Sequence, residues 1–139
     1  MQKTTSWILI LVLASSLLGL AAVAVTPASG QTDTPVVIVL TADGPISPAM
    51  AEYLARGIEV AERRGAEALI FQINTPGGAV TTMNAMVQDI LASQVPVIVY
   101  VAPRGGMAAS AGTIITLAGH AAAMAPETMI GAASPVGSE

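Results

Sequence analysis

Short apolar runs alternate with amphipathic stretches along most of the chain. Val36-Val37-Ile38-Val39-Leu40 is continuous and mostly β-branched, the pattern of a strand buried on both faces of a parallel sheet. Asp43-Gly44-Pro45 closes it with a turn. Ser47 and Pro48 then predict a helix start, with serine as N-cap and proline at the first helical position, where its missing N–H costs nothing. Met50, Leu54, Ile58 and Ala61 share one face of that helix. Glu52–Arg56 and Glu59–Arg63 lie away from that face as i,i+4 pairs in the favourable order. Gly65 supplies a left-handed end.

Leu69-Ile70-Phe71-Gln72-Ile73 reads as a second strand. Its exit, Asn74-Thr75-Pro76-Gly77-Gly78, is a loop that neither strand nor helix continues through easily. A helix is expected from Thr81 or Thr82 to about Ser93, with Met83, Val87, Ile90 and Leu91 inward. Pro96-Val97-Ile98-Val99-Tyr100-Val101 is a third strand, and Ser110 opens a third helix, Ala111 to His120. Ala122 to Ala125 is a candidate short strand, and Pro126 to Gly137 is turn-rich. Strand and helix in strict alternation predict an α/β fold of parallel βαβ units.

Sites in such sheets form beyond the carboxyl ends of the strands. The glycine loops at Gly77-Gly78 and Gly105-Gly106 both follow strand ends, so they are expected on one edge, close together. Ser110 sits at a helix N-terminus, where free N–H groups and the helix dipole favour negative charge. The arrangement suits acyl transfer, with Ser110 as nucleophile and the backbone N–H groups of Gly77, Gly78 and Ala111 as an oxyanion hole. It equally suits a capping serine and a plain turn, and spacing by itself leaves both readings open.

Composition narrows the chemistry. The chain has 139 residues, of which 53% are hydrophobic and 10% charged, with net charge −4. That excludes a disordered chain, and the scarcity of basic residues argues against a nucleic-acid partner. No cysteine and one histidine argue against a metal site and exclude thiolate catalysis. No phosphate-binding glycine motif is present, and no cofactor is implied.

The N-terminus carries Lys3, an apolar run from Trp7 to Val25, and then small, helix-breaking residues up to Gln31. Residues 1–30 read as a secretory signal peptide, with an uncleaved membrane anchor as the alternative. Both place residues 35–139 outside the cytoplasm, at the membrane or on its extracytoplasmic face.

Several segments in register carry a resemblance: Asn74-Thr75-Pro76-Gly77-Gly78, Pro96 to Val101, Ala109-Ser110-Ala111-Gly112-Thr113, Met124-Ala125-Pro126, and Ile130-Gly131-Ala132-Ala133-Ser134-Pro135-Val136. Together they resemble the membrane-bound ClpP-class serine proteases of the nodulation-efficiency protein D (NfeD) family. The resemblance implies a ClpP/crotonase-like fold with Ser110 as nucleophile. It also implies an oxyanion hole from the Pro-Gly-Gly loop and Ala111, and a homo-oligomer acting on hydrophobic peptide segments of stomatin-like membrane proteins.

The family pattern also implies a Ser–Lys dyad, with a desolvated lysine as base beyond the segment matching Ala132 to Val136. The sole lysine here is Lys3. His120 is no substitute, since ten residues along one helix is about 15 Å of rise. It reads instead as a residue at the helix C-terminus, near the negative end of the dipole. Glu127 reads as surface or cap, and Asp43 and Asp89 suggest no dyad.

The expectation from sequence is therefore the N-terminal part of an exported serine endopeptidase. Its domain is truncated before it closes, its base is missing, and it is inactive alone. The alternative is a non-catalytic peptide-binding or assembly module. An acyl-CoA enzyme of the crotonase type fits the export signal poorly.

Overall fold

A computed structural model describes residues 34–134 of the chain. The signal-peptide reading of residues 1–30 falls outside them. Four strands form a parallel sheet in the order β1-β2-β3-β5: β1 is Val37–Asp43, β2 is Ala68–Asn74, β3 is Val97–Val101 and β5 is Ala121–Met124. Helices α1 (Pro48–Arg63), α2 (Val80–Ala92) and α3 (Ala111–Ala118) make the crossovers. Two three-residue strands, β4 (Met107–Ala109) and β6 (Met129–Gly131), pair in parallel as a separate small sheet.

Strand register explains the core. Leu40 pairs with Phe71, and Phe71 with Val99, so these side chains emerge on the same face with Leu69, Ile73, Val97 and Val101. Against that face pack Leu54 and Ile58 of α1, Met86 and Ile90 of α2, and Ile115 of α3, all buried. Each such side chain contributes about 1.5–3 kcal/mol by leaving water.

Helix α1 forms as its sequence dictates. The Ser47 hydroxyl accepts from the Met50 N–H at 3.4 Å, and Met50, Leu54, Ile58 and Ala61 are its buried stripe, with Gly57. Both expected ion pairs are present, Arg56–Glu52 at 3.7 Å and Arg63–Glu59 at 3.3 Å. Gly65 has φ +57°, and the N–H of Ala66 closes back on the Ala61 carbonyl at 2.9 Å.

Four expectations change. Strand β1 is not buried on both faces. It is a sheet edge, with Val37 at 47% and Val39 at 57% exposure, because α1 covers only the Leu40 and Ala42 side. On α2 the inward residues are Met86 and Ile90, with Met83 and Val87 partly buried. Leu91 instead turns outward at 62% exposure, because the buried line of α2 is centred on Met86 and Ile90 and Leu91 lies about 120° around the helix from it at 3.6 residues per turn. The loops around β4 and β6, read from sequence as irregular, pair as strands. Finally, α3 stops at Ala118 with Gly119 as C-cap, so His120 lies beyond it. The His120 imidazole Nδ1 accepts the Val97 N–H at 3.1 Å, and the His120 backbone N–H donates to the Val97 carbonyl at 2.9 Å.

Candidate active site around Ser110

Ser110 stands between β4 and α3 with φ 52° and ψ −116°, a combination that L-residues rarely adopt and that costs about 1–3 kcal/mol. Two backbone ties impose it. The Ser110 N–H donates to the Gly131 carbonyl at 2.7 Å, and the following turn closes when the Thr113 N–H donates to the Ser110 carbonyl at 3.0 Å. The serine is exposed, and its side chain makes no capping hydrogen bond to α3. The hydroxyl at this helix start is therefore not used as a cap. Sharp strand-to-helix turns of this kind present nucleophilic serines in hydrolases.

The Pro-Gly-Gly loop lies directly against it. A Cβ built on Gly77 would come 2.9 Å from the Ser110 Cβ, 3.0 Å from the Ala109 carbonyl oxygen and 3.4 Å from the Ala111 nitrogen. Gly77 also has φ +110°, so absence of a side chain is required twice, for space and for backbone conformation. The two strand-end loops thus meet on one edge, as the βαβ pattern predicts.

The three backbone N–H groups named from sequence differ in availability. The Gly77 N–H donates to Thr75 Oγ1 at 3.1 Å, so it is already occupied and turned into its own loop. Among the described residues, no acceptor meets the N–H of Gly78 or of Ala111. Ala111 is the first residue of α3, where the N–H has no partner inside the helix.

An open cleft of about 330 Å³ adjoins the serine, lined by Ser110, Ala111, Val80, Met83, Ile114, Ala133 and Ser134. Its walls are mostly apolar, and none of these residues is titratable. His120 is bound to the start of β3, and Glu127 pairs with Arg104. Glu127 Oε2 accepts from Arg104 Nε at 3.0 Å, which raises the guanidinium pKa and holds the Glu127 carboxyl below its usual range. That pair clips together the loops entering β4 and β6. Asp43 accepts from the Asn74 side-chain amide at 3.2 Å.

Three residues that organise the site escape a reading of the sequence. Asn74 Oδ1 accepts the Met107 N–H at 2.9 Å. Thr75 is fully buried and aligns β4 through two backbone bonds, Thr75 N–H to Met107 O at 2.7 Å and Ala109 N–H to Thr75 O at 3.0 Å. The Thr113 hydroxyl lies 2.8 Å from the Ala108 carbonyl and 2.7 Å from the Gly131 carbonyl, and accepts the Gly131 N–H at 2.8 Å. It thereby ties α3 to both short strands. Their only trace in the sequence is polarity at positions flanked by apolar strand and helix residues.

A parallel βαβ sheet with a second small sheet carrying a serine turn is an α/β architecture of the ClpP-like type. It is shared at the level of fold with ClpP1 from Listeria monocytogenes (24% identity, TM-score 0.59, covering 68% of this chain and 53% of that one). Residues 36–139 match the family model described as NfeD1b, N-terminal domain, and the chain belongs to that family.

Among its relatives is the membrane-bound protease PH1510 of Pyrococcus horikoshii, 46% identical over 101 residues, which are 73% of this chain and 23% of that protein. Another is membrane protein NfeD1b of Bacillus subtilis, 36% identical over 100 residues, 72% and 22% respectively. Two solved structures of the 1510-N membrane-bound stomatin-specific protease align with TM-score 0.72. One is a serine-to-alanine mutant, 44% identical, covering 73% of this chain and 49% of that one. The other is a lysine-to-alanine mutant in complex with a substrate peptide, 45% identical, covering 73% and 47%. The chain therefore spans about a quarter of the curated relatives and about half of the solved chains.

Proposed function

We propose that this chain carries the nucleophile and oxyanion hole of an exported serine endopeptidase that cleaves apolar peptide segments. Ser110 Oγ attacks the scissile carbonyl. The backbone N–H groups of Gly78 and Ala111 receive the oxygen of the tetrahedral intermediate, each such donor being worth about 2.7–4 kcal/mol. Gly77 contributes by its bare Cα, which lets the loop approach the serine. The observation that carries this reading is the exposed, uncapped Ser110 held at φ 52° against Gly77. The ties to Gly131 and Thr113 hold that backbone geometry, and they leave the serine exposed with its side chain uncapped.

The general base in this proposal is the lysine that the family pattern implies beyond the segment matching Ala132 to Val136. The apolar cleft beside Ser110 takes an apolar side chain of the substrate, for which stomatin-like membrane proteins are the proposed source. The relatives named as membrane-bound support placement at a membrane. Among the described residues no helix is long and apolar enough to cross one, and the proposal assigns any anchoring to residues 1–30. A homo-oligomer is part of the same proposal.

The test is turnover of an apolar peptide by the full-length protein, followed by product mass. Cleavage that disappears in Ser110→Ala is expected, and undiminished cleavage by Ser110→Ala would contradict the assignment.

A second reading is favoured by one observation: among the described residues no titratable side chain lines the cleft at Ser110. On that reading the domain binds apolar peptides without turning them over. Ser110-dependent product formed by the 139-residue chain would exclude it.

A further inference from the structure

Thr75 is the residue around which the Pro-Gly-Gly loop is built. It is fully buried, where a polar side chain persists only if hydrogen-bonded. Its hydroxyl meets both ends of one glycine: Oγ1 accepts the Gly77 N–H at 3.1 Å and lies 3.3 Å from the Gly77 carbonyl, to which it donates. That carbonyl also accepts the Ile46 N–H at 2.9 Å. The side chain itself cannot turn, because its γ-methyl fills the space beside Gly112, where an added Cβ would sit 2.5 Å from it, and β-branching restricts χ1 further.

Fixing the Gly77 carbonyl has a geometric consequence. In a trans peptide unit the C=O and the following N–H point in opposite directions. Holding the Gly77 oxygen toward Thr75 and Ile46 therefore turns the Gly78 N–H the other way and prevents the unit from flipping. Glycine on both sides of that unit would otherwise permit the flip freely.

We infer that Thr75 is a positioning residue for the oxyanion donor, its hydroxyl locking the Gly77–Gly78 peptide so that the Gly78 N–H is aimed before substrate arrives. This rests on the serine-peptidase reading of Ser110. Thr75 touches no substrate in this role. It acts through Gly77, and its effect falls on the transition state, where a donor displaced by about 1 Å costs on the order of 100-fold in rate.

The test compares Thr75→Val, which keeps shape and removes the hydroxyl, with Thr75→Ser, which keeps the hydroxyl, in the full-length protein on an apolar peptide. Thr75→Val is expected to lower kcat on the order of 100-fold with KM within about twofold, while Thr75→Ser keeps kcat within about threefold. A peptide boronate, which mimics the tetrahedral adduct, is expected to lose affinity for Thr75→Val in proportion to kcat, while the plain peptide is held as before. Should Thr75→Val not fold, Thr75→Cys, with only a weak acceptor, takes its place in the same comparison.

A kcat for the hydroxyl-free variant within about threefold of the wild type would overturn the inference. So would a Thr75→Ser variant impaired as deeply as Thr75→Val. Ser110→Ala run in parallel separates the two claims. If Ser110 is dispensable, the peptidase reading falls and this inference with it. If Ser110 is required but Thr75→Val is unimpaired, only the positioning role falls.

Discussion

Gly77 and Ser110 come from loops 33 positions apart in the chain, yet a single methyl group placed on Gly77 would lie 2.9 Å from the serine's Cβ. This contact joins the end of β2 to the start of α3 and makes one site out of two loops. It sets how closely the Pro-Gly-Gly loop approaches the serine proposed as nucleophile.

Gly77→Ala is accordingly expected to destabilise the fold by about 1–3 kcal/mol, through an unfavourable φ and through overpacking. It should also remove Ser110-dependent activity. Gly65→Ala is the control, since Gly65 has φ +57° but open space around its Cα. It should cost only about 1 kcal/mol, near the penalty of the left-handed region for an L-residue, and leave activity intact. Urea denaturation of the two variants beside the parent checks the difference.

Ser110 itself is expected to trade stability for presentation. Replacing it with glycine relieves a backbone strain of about 1–3 kcal/mol, against a glycine entropy cost of about 0.5–1 kcal/mol. Ser110→Gly should therefore raise the unfolding free energy by about 1 kcal/mol while abolishing turnover. A denaturation midpoint equal to or below the parent's would show that the turn is not strained.

Asp89 offers a pH-dependent check that is independent of the serine. Burial on α2 raises its carboxyl above the ordinary 3.8, so the folded state holds that proton more tightly than the unfolded chain does. The resulting penalty is absent below pH 3.8, develops as pH rises through the folded-state value, and is complete above it. Asp89→Asn should therefore stabilise the protein at pH 7, with the advantage disappearing as pH falls below 3.8. Urea midpoints of parent and variant across that range measure it, and a constant offset at all pH values would contradict the cause.

The regular part of the fold was legible because it is locally encoded. Ser47-Pro48 and Gly65 bracket α1, and the apolar runs at Leu69 to Ile73 and Val97 to Val101 are the central strands. The misread positions depend on information that no local window holds. Val37 and Val39 look like a buried strand because their composition matches Ile70 and Ile98, but which strand lies at the edge is set by topology. Strands β4 and β6 are three residues each, too short for any periodicity, and exist because Thr113 and Gly131 hold them together. At the site, the sequence pointed to Ser110 and the glycines. It did not distinguish the N–H of Gly77 from that of Gly78, which meets no acceptor among the described residues, because the Gly77 N–H is taken by a threonine hydroxyl two residues upstream.

The central claim, that Ser110 is the nucleophile, is tested most directly by treating the full-length protein with a fluorophosphonate probe and locating the adduct by peptide mass spectrometry. The account predicts one adduct on the peptide containing Ser110, blocked by prior incubation with an apolar peptide substrate and absent from Ser110→Ala. A protein that cleaves peptides but carries its adduct on another residue, or that is labelled equally in Ser110→Ala, would contradict it.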